Sequence, residues 1–139
     1  MLFRSDRGGF IDASRWRQRL KHPPAGWTTL VAQRDSVVLG FAAVGPSRDL
    51  PRLGELYAIY VDPDEWSGGV GRALMVDAEE QLGDLYGEAT LWVLEENARA
   101  RQFYERGGWK HDGARKADER WGIAAPEVRY RKRLSSSRS

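Results

Sequence analysis

The sequence predicts a single α/β domain built on a mixed, mostly antiparallel central sheet with helices on both faces. Its 139 residues are the size of one ordinary domain, and 41% hydrophobic residues suffice for one core. Stretches typical of strands and helices follow in the order strand, strand, strand, helix, strand, helix, strand. The early strands favour antiparallel pairing, and the two later strand-to-helix passages favour a mixed sheet. We expect the domain to cover residues 1–134, with a disordered tail at 135–139.

The first part of the chain predicts a short helix and a hairpin. Residues 12–20 begin with an aspartate suited to an N-cap and place apolar side chains four apart, as an amphipathic helix does. Residues 28–35 and 36–45 are apolar runs rich in branched side chains. They meet at the polar pair Asp35–Ser36, which predicts the turn of a hairpin.

Periodicity assigns the later elements. The strand stretches are rich in branched and aromatic residues or alternate polar with apolar ones, whereas the helical stretches repeat apolar residues at three and four positions. The helical stretch at 97–108 also has an asparagine suited to its N-cap and glycines at its end. The predicted elements are a strand at 55–61, a helix at 71–87, a strand at 88–94, a helix at 97–108 and a strand at 127–134.

Composition limits the available chemistry. The chain has no cysteine, which excludes disulfides and a thiolate nucleophile, and its two histidines alone make a poor metal centre. We therefore expect chemistry without a metal. No apolar run approaches the ~20 residues of a membrane span, and the N-terminus lacks the apolar core of a signal peptide. These features predict a cytoplasmic protein without a membrane partner.

Positive charge collects at both ends of the chain, although the formal net charge is only +2. Basic ends can attract phosphates. No RNA- or DNA-binding motif accompanies the charge, so a solvated face and a soluble tail are favoured over a nucleic-acid site.

A cluster of glycines lies between the strand at 55–61 and the helix that follows it. Gly68, Gly69 and Gly71 leave the backbone accessible, and the first N–H groups of a helix favour an anion such as phosphate. A Walker A loop is excluded, because Gly71 is followed by Arg72 and not by lysine. A dinucleotide fingerprint is weak, because Leu74 stands where its third glycine belongs.

Two motifs resemble those of the GNAT superfamily of N-acetyltransferases. The family's acetyl-CoA loop reads Q/R-x-x-G-x-G/A after a strand that ends in V-x-P, and "VDPDEWSGGVG" at 61–71 is similar to it. "NARARQFYERGGW" at 97–109 resembles the family's N-x-x-A-x-x-F-Y-x-x-x-G-F/W block. The matching residues of this block are Asn97, Ala100, Phe103, Tyr104, Gly108 and Trp109. The resemblance covers residues 28–134.

The resemblance implies a GNAT-like fold whose sheet splays apart at an acetyl-CoA site. Pantetheine would lie in the gap as a pseudo-strand, paired with the backbone of Tyr60 and Val61. Asn97 would cap its helix, bind the pantetheine amide, or do both. The pyrophosphate would rest on the amides of Ser67, Gly68, Gly69, Val70, Gly71, Arg72 and Ala73.

One loop position departs from the family pattern. Trp66 stands where the family usually has Gln or Arg, which removes a polar partner of the phosphates. Arg72 offers a replacement charge, and the indole would cover the loop or contact the adenine. Packing at the surface is the alternative role for Trp66.

The resemblance also implies direct acetyl transfer to a primary amine in a ternary complex. The Val61 N–H would polarise the thioester carbonyl, Tyr104 would protonate the departing sulfur, and Glu55 would accept the proton of the amine. By alternation, Glu55 is expected to share a face with Tyr57 and Ile59. The alternatives are a solvated strand-end carboxylate for Glu55 and a core aromatic for Tyr104.

The start of the chain is shorter than the family pattern. Relatives spend about fifty residues on a first strand and two helices before the strand matching residues 28–35, so the first strand is either missing or reduced to residues 1–8. Those elements form one wall of the acceptor cleft. A non-catalytic acyl-CoA-binding or sensor domain is therefore the main alternative, and binding without turnover would distinguish it. Pairing of the last strand across a two-fold axis would give a homodimer.

Overall fold

The computed structural model describes residues 2–4, 26–66, 68–118 and 125–135, with only the backbone at 2–4 and at 118. A 3₁₀ turn at Pro63–Glu65 precedes the first helix. The strands are β1 (Leu2–Arg4), β2 (Thr28–Arg34), β3 (Val37–Pro46), β4 (Gly54–Val61), β5 (Glu88–Leu94), β6 (Lys110–Asp118) and β7 (Ala125–Arg133), and the helices are α1 (Val70–Gly83) and α2 (Ala98–Arg106). The strands and helices predicted after residue 28 are all present. The helix predicted at 12–20 lies outside the described residues.

The strands form one mixed sheet in the order β2-β3-β4-β5-β7-β6, with β1 paired to β4 off this path. The β4–β5 pair is parallel and the other pairs are antiparallel. The predicted mixed, mostly antiparallel sheet is confirmed. The parallel pair arises because α1 carries the chain across the sheet between β4 and β5.

The predicted hairpin between β2 and β3 is confirmed in detail. Asp35 and Ser36 have φ angles of 47° and 72°, so both turn residues adopt left-handed backbone conformations. Two-residue turns of this hand match the twist of the strands that they join. Aspartate tolerates this conformation better than most residues.

A β-bulge interrupts β4 in the middle of the sheet. Ala43 pairs with Ala58 and Val44 pairs with Leu56, so Tyr57 is an extra residue on β4. A bulge bends its strand and increases the local twist. β4 pairs with β5 only over Gly54–Leu56, before the bulge. The two strands therefore diverge beyond this point.

The bulge also changes which side chains share a face. Tyr57 and Ala58 both lie in the cluster on one face of the sheet, whereas Ile59 lies in the cluster on the other face. The expectation that alternation places Ile59 on the face of Glu55 and Tyr57 is wrong, because the extra residue shifts the alternation by one position.

Both described helices pack on the same face of the sheet. Their buried residues join those of the strands in the larger core cluster. The opposite face carries a smaller cluster, in which Trp27 stacks on Tyr57 with ring centroids 4.2 Å apart. A helix on that second face remains a prediction. The helical residues buried in the larger cluster are Leu74, Met75, Ala78, Leu82, Ala100 and Tyr104.

Candidate functional site

The divergence of β4 from β5 opens one edge of β4. The Asp62 N–H donates to the Leu39 carbonyl over 2.8 Å, so the main chain of Asp62 points toward β3. Main-chain groups of successive strand residues point to opposite edges. Those of Ile59 and Val61 therefore face the opened edge, while those of Tyr60 face β3. The pairing expected at Tyr60 from the sequence therefore moves to Ile59, because the N–H and C=O of Tyr60 point away from the gap. β1 lies along this edge, paired with Ala58, Ile59 and Tyr60.

The glycine turn at 68–71 follows β4 after the 3₁₀ turn at Pro63–Glu65, and it starts α1. Gly69 is the N-cap of α1, with a φ of 83°, and no side chain caps this end of the helix. A Cβ atom at Gly69 would meet nothing within 4 Å, so the backbone here borders open space. Glycine is suited to this position because other residues adopt a positive φ only with strain.

The amides of this turn divide into two groups. The Gly68 N–H donates to the Glu65 carbonyl over 3.1 Å, and the Ala73 N–H donates to the Gly69 carbonyl over 3.0 Å. Both are thus already used within the protein. The N–H groups of residues 70–72 precede the first intrahelical hydrogen bond and lie at the positive end of the helix dipole. Ser67 is outside the described residues.

A cavity of 480 Å³ opens beside this helix terminus. Arg72 from α1 and Arg99 and Arg106 from α2 line it, together with Gly69 and Gly71. Within the described part of the chain, no carboxylate forms a salt bridge with any of these three arginines. The cavity therefore combines uncompensated positive charge with a helix N-terminus, and this combination favours a phosphate-bearing ligand.

Trp66 joins the end of β4 to this cavity. Its indole Nε1–H donates to the Val61 carbonyl over 3.0 Å, which holds the ring against the strand end. The guanidinium of Arg99 lies over the ring, 4.2 Å from the centroid, as in a cation–π contact. The tryptophan ring thus holds the Arg99 cation at the wall of the cavity.

Asn97 caps α2 as the sequence predicts. Its side-chain oxygen accepts a hydrogen bond from the Ala100 N–H over 3.1 Å. Such a cap satisfies one of the N–H groups left without a partner at a helix start. The cap occupies the oxygen, so the amide nitrogen is the group left for a pantetheine carbonyl, and that role remains a prediction.

Tyr104 is fully buried in the larger core cluster, which also contains Val61. Its ring meets Phe103 edge-on at 5.6 Å and lies 6.4 Å from the ring of Tyr130. Burial raises the pKa of Tyr104 well above its usual value of 10.0. The hydroxyl therefore keeps its proton throughout the physiological pH range.

Glu55 lies where β4 is still paired with β5, and its side chain is buried. Its Oε1 accepts from the Arg48 main-chain N–H over 3.0 Å, and its Oε2 accepts from Arg48 Nε over 3.1 Å and from Nη2. Arg48 also lies over the ring of Tyr57. Burial, together with the Glu55 charge, raises the pKa of Tyr57 to about 12. The solvated carboxylate considered as an alternative is excluded, because Glu55 is held in a buried ion pair.

Trp92 lies on β5, the strand that pairs with β4 at Glu55. Its Nε1–H donates to Asp49 over 3.2 Å, and the Lys116 ammonium lies 4.3 Å from the ring centroid. Asp49 also pairs with Arg129, and these contacts fix the indole in place. These contacts indicate a packing role for Trp92.

Sequence reasoning missed three residues of the site. Arg99 and Arg106 are seven positions apart on α2, which places them on one side of the helix, and this spacing was the available signal. No comparable sequence spacing indicated Arg48. Its contact with Glu55 depends on the chain reversal between β3 and β4, which the sequence pattern does not specify.

Within the described ranges, no group of three or more His, Cys, Asp or Glu side chains is arranged to hold a metal ion. The helices of this part of the chain are also too short or too polar to cross a membrane.

Comparisons with known proteins agree with this geometry. Residues 2–109 match the model of the acetyltransferase (GNAT) family. Mycothiol acetyltransferase of Kocuria rhizophila is 36% identical over 113 residues, a match that covers 78% of this chain and 33% of that protein. The chain thus spans about a third of the length of that relative.

Solved structures share the fold. Ribosomal-protein-alanine N-acetyltransferase from Brucella melitensis superimposes with a TM-score of 0.73 at 23% identity, covering 91% of this chain and 81% of that one. The protein yncA of Salmonella typhimurium, solved with its cofactor acetyl-CoA, gives a TM-score of 0.70 at 18% identity and covers 94% and 78%. The family match, the diverging strands and the glycine turn all lead to one conclusion: the chain belongs to the acetyltransferase (GNAT) family.

Proposed function

We propose that this domain transfers an acetyl group from acetyl-CoA to a primary amine of a small molecule or a protein. The observation that carries the proposal is the succession of an opened β4 edge, a glycine turn and a cavity lined by three arginines. Each part suits a different part of the same ligand, as the following contacts indicate.

The residues present fit acetyl-CoA. The N–H groups at the start of α1 and the side chains of Arg72, Arg99 and Arg106 suit its phosphates. The edge of β4 at Ile59 and Val61 suits the amides of pantetheine, because an extended amide chain can add to a strand edge. The cavity of 480 Å³ falls within the range of about 300–1,000 Å³ that is usual for ligand sites.

When bound, acetyl-CoA supplies an activated thioester. In the proposed role, the Val61 N–H donates to the carbonyl oxygen of the acetyl group, where negative charge develops. Tyr104 belongs to the same core cluster as Val61, and its raised pKa keeps its proton available. A cysteine-free chain offers no thiolate for an acetyl-enzyme, which favours direct attack by the amine.

The amine is proposed to lose its proton on the opposite face of the sheet. Glu55 lies there with Arg48 and Tyr57, whereas Tyr104 lies on the face that the helices cover. The acid and the base are thus proposed to approach the gap from opposite faces. Because the Glu55 side chain is fully buried and paired with Arg48, the proton of the amine is proposed to reach Glu55 through water.

Calorimetric titration with acetyl-CoA tests the cofactor without a choice of amine. We expect saturable micromolar binding of acetyl-CoA, weaker binding of dephospho-CoA and little binding of ATP. An amine panel would then test turnover. Binding without turnover on a broad panel would favour a non-catalytic acyl-CoA-binding domain, and absence of binding by the folded protein would refute the proposal.

Glu55→Gln separates a base from a structural role. If Glu55 is the base, we expect the transfer rate to fall by about 10²-fold with little change in acetyl-CoA affinity. If Glu55 only anchors Arg48, the variant loses stability by about 1–3 kcal/mol, because a buried charged hydrogen bond is weakened, and the rate at 10 °C stays near that of the parent. Single-turnover kinetics with a thermal melt distinguishes these outcomes.

Arg99→Ala tests the cation above Trp66. We expect the dissociation constant of acetyl-CoA to rise by about tenfold, since one charge-assisted contact is worth about 1.5 kcal/mol or more. The affinity of the variant should also depend less steeply on salt. Arg133→Ala is a suitable control, because Arg133 is exposed on β7 and does not line the cavity. Equal affinities of both variants would remove Arg99 from the site.

A further inference from the structure

We propose that β1 is an autoinhibitory strand that occupies the edge of β4 to which the cofactor would bind. This inference rests on the proposed function, because it assumes that pantetheine uses the same edge. It adds a conformational step to binding: β1 must leave β4 before the cofactor can add to it.

The register of β1 carries the proposal. β1 runs antiparallel to β4 and pairs residue by residue with Ala58, Ile59 and Tyr60. The last parallel pair between β4 and β5 is at Leu56, just before these residues. β3 occupies the other edge of β4 along the same stretch, and β1 lies beside β5 as well as β4. β1 therefore fills the gap that the divergence of β4 and β5 opens.

The main-chain groups make the two occupants mutually exclusive. The main chain of Asp62 points toward β3, so by alternation the main-chain groups of Ile59 point toward the gap. The register partner of Ile59 is Phe3. The N–H and C=O of Ile59 are thus directed at the backbone of Phe3. A strand edge pairs with one extended chain at a time, so pantetheine amides and β1 compete for the same groups.

The length of β1 makes this competition reversible. A strand of three residues offers only a few hydrogen bonds to β4, each worth about 0.5–1.5 kcal/mol. A ligand held by its phosphates at the start of α1 could therefore displace it. If the open state makes up about 1–10% of the molecules, β1 weakens the apparent affinity by about 10- to 100-fold.

A reversible tether tests the competition directly. Leu2 and Tyr60 are register partners in a pair that does not exchange hydrogen bonds, by the same alternation. The Cα atoms of such pairs are about 4.5 Å apart, within the range that a disulfide spans. The chain has no cysteine, so a Leu2→Cys/Tyr60→Cys variant forms one defined bond.

We expect the oxidised double variant to lose acetyl-CoA binding by at least ~100-fold and to regain it after reduction. Both single-cysteine variants should bind equally under the two conditions. Acetyl-CoA is the probe of choice, because free CoA carries a thiol that would exchange with the disulfide. Equal affinity of the oxidised and reduced double variant would overturn the proposal.

Phe3→Pro provides a second, independent measurement. Proline removes the N–H of residue 3 and so weakens pairing with Ile59, whereas Phe3→Ala retains that N–H. We expect Phe3→Pro to bind acetyl-CoA about tenfold more tightly than Phe3→Ala. Equal affinities of these two variants would refute autoinhibition and leave the proposed function intact. Absence of binding in every form, including Phe3→Pro, would refute the proposed function and this inference with it.

Discussion

Gly69→Glu is expected to abolish acetyl-CoA binding. A Cβ atom at Gly69 projects into open space beside the start of α1, so a glutamate would place its carboxylate in the cavity. There it would pair with the arginines and repel the phosphates. Loss of two charge-assisted contacts at ~1.5 kcal/mol each corresponds to a fall in affinity of about 100-fold or more. Calorimetry of the variant measures this fall.

Gly113→Glu is the matched control for this substitution. Gly113 also has a positive φ, 97°, and a Cβ atom there would likewise meet nothing within 4 Å. Both variants should therefore lose a similar ~1–2 kcal/mol of stability from the left-handed backbone. Gly113 lies on β6 and does not line the cavity, so its variant should bind acetyl-CoA as the parent does. Tight binding by Gly69→Glu would mean that the glycine turn is only a turn.

Most of the fold could be predicted because local sequence patterns indicate its strands and helices. β3, β4 and β5 are continuous apolar runs buried on both faces, and the apolar repeat of α1 matches its contact with the sheet. β6 was missed because the nine residues of this edge strand, Lys110–Asp118, are mainly polar and an irregular register interrupts its pairing. An edge strand needs few apolar residues, so its sequence carries little periodic signal.

Part of the candidate site could likewise be predicted from local patterns, and part could not. Gly69, Arg72 and Asn97 belong to local motifs, so their positions at the helix starts followed from sequence spacing. The bulge at Tyr57 and the ion pair of Glu55 with Arg48 depend on contacts between separate strands. The pairing of β1 with β4 joins residues more than fifty positions apart. Single-sequence patterns do not encode such long-range choices.

Tyr104→Phe is expected to leave acetyl-CoA binding unchanged and to lower the transfer rate by about 10²-fold, the usual worth of general acid catalysis. Phenylalanine retains the ring contacts with Phe103 and Tyr130, so packing should be preserved. Tyr130→Phe is the control, because Tyr130 is buried in the same cluster and its hydroxyl is hydrogen-bonded to Glu105 and Arg101. The control should retain the rate to within about threefold, on the same scale of effect.

The pH dependence of the rate gives an independent check on the same residue. The active form of an acid is the protonated one, and burial raises the pKa of Tyr104 well above 10.0. The protonated fraction of Tyr104 therefore stays constant up to at least that pH, and the rate should rise as the acceptor amine deprotonates and then remain level. A tyrosine of ordinary pKa would instead cause the rate to fall from about pH 9 upward. A parent enzyme with such a fall, or a Tyr104→Phe variant with an unchanged rate, would remove Tyr104 from the chemistry and leave it a core aromatic.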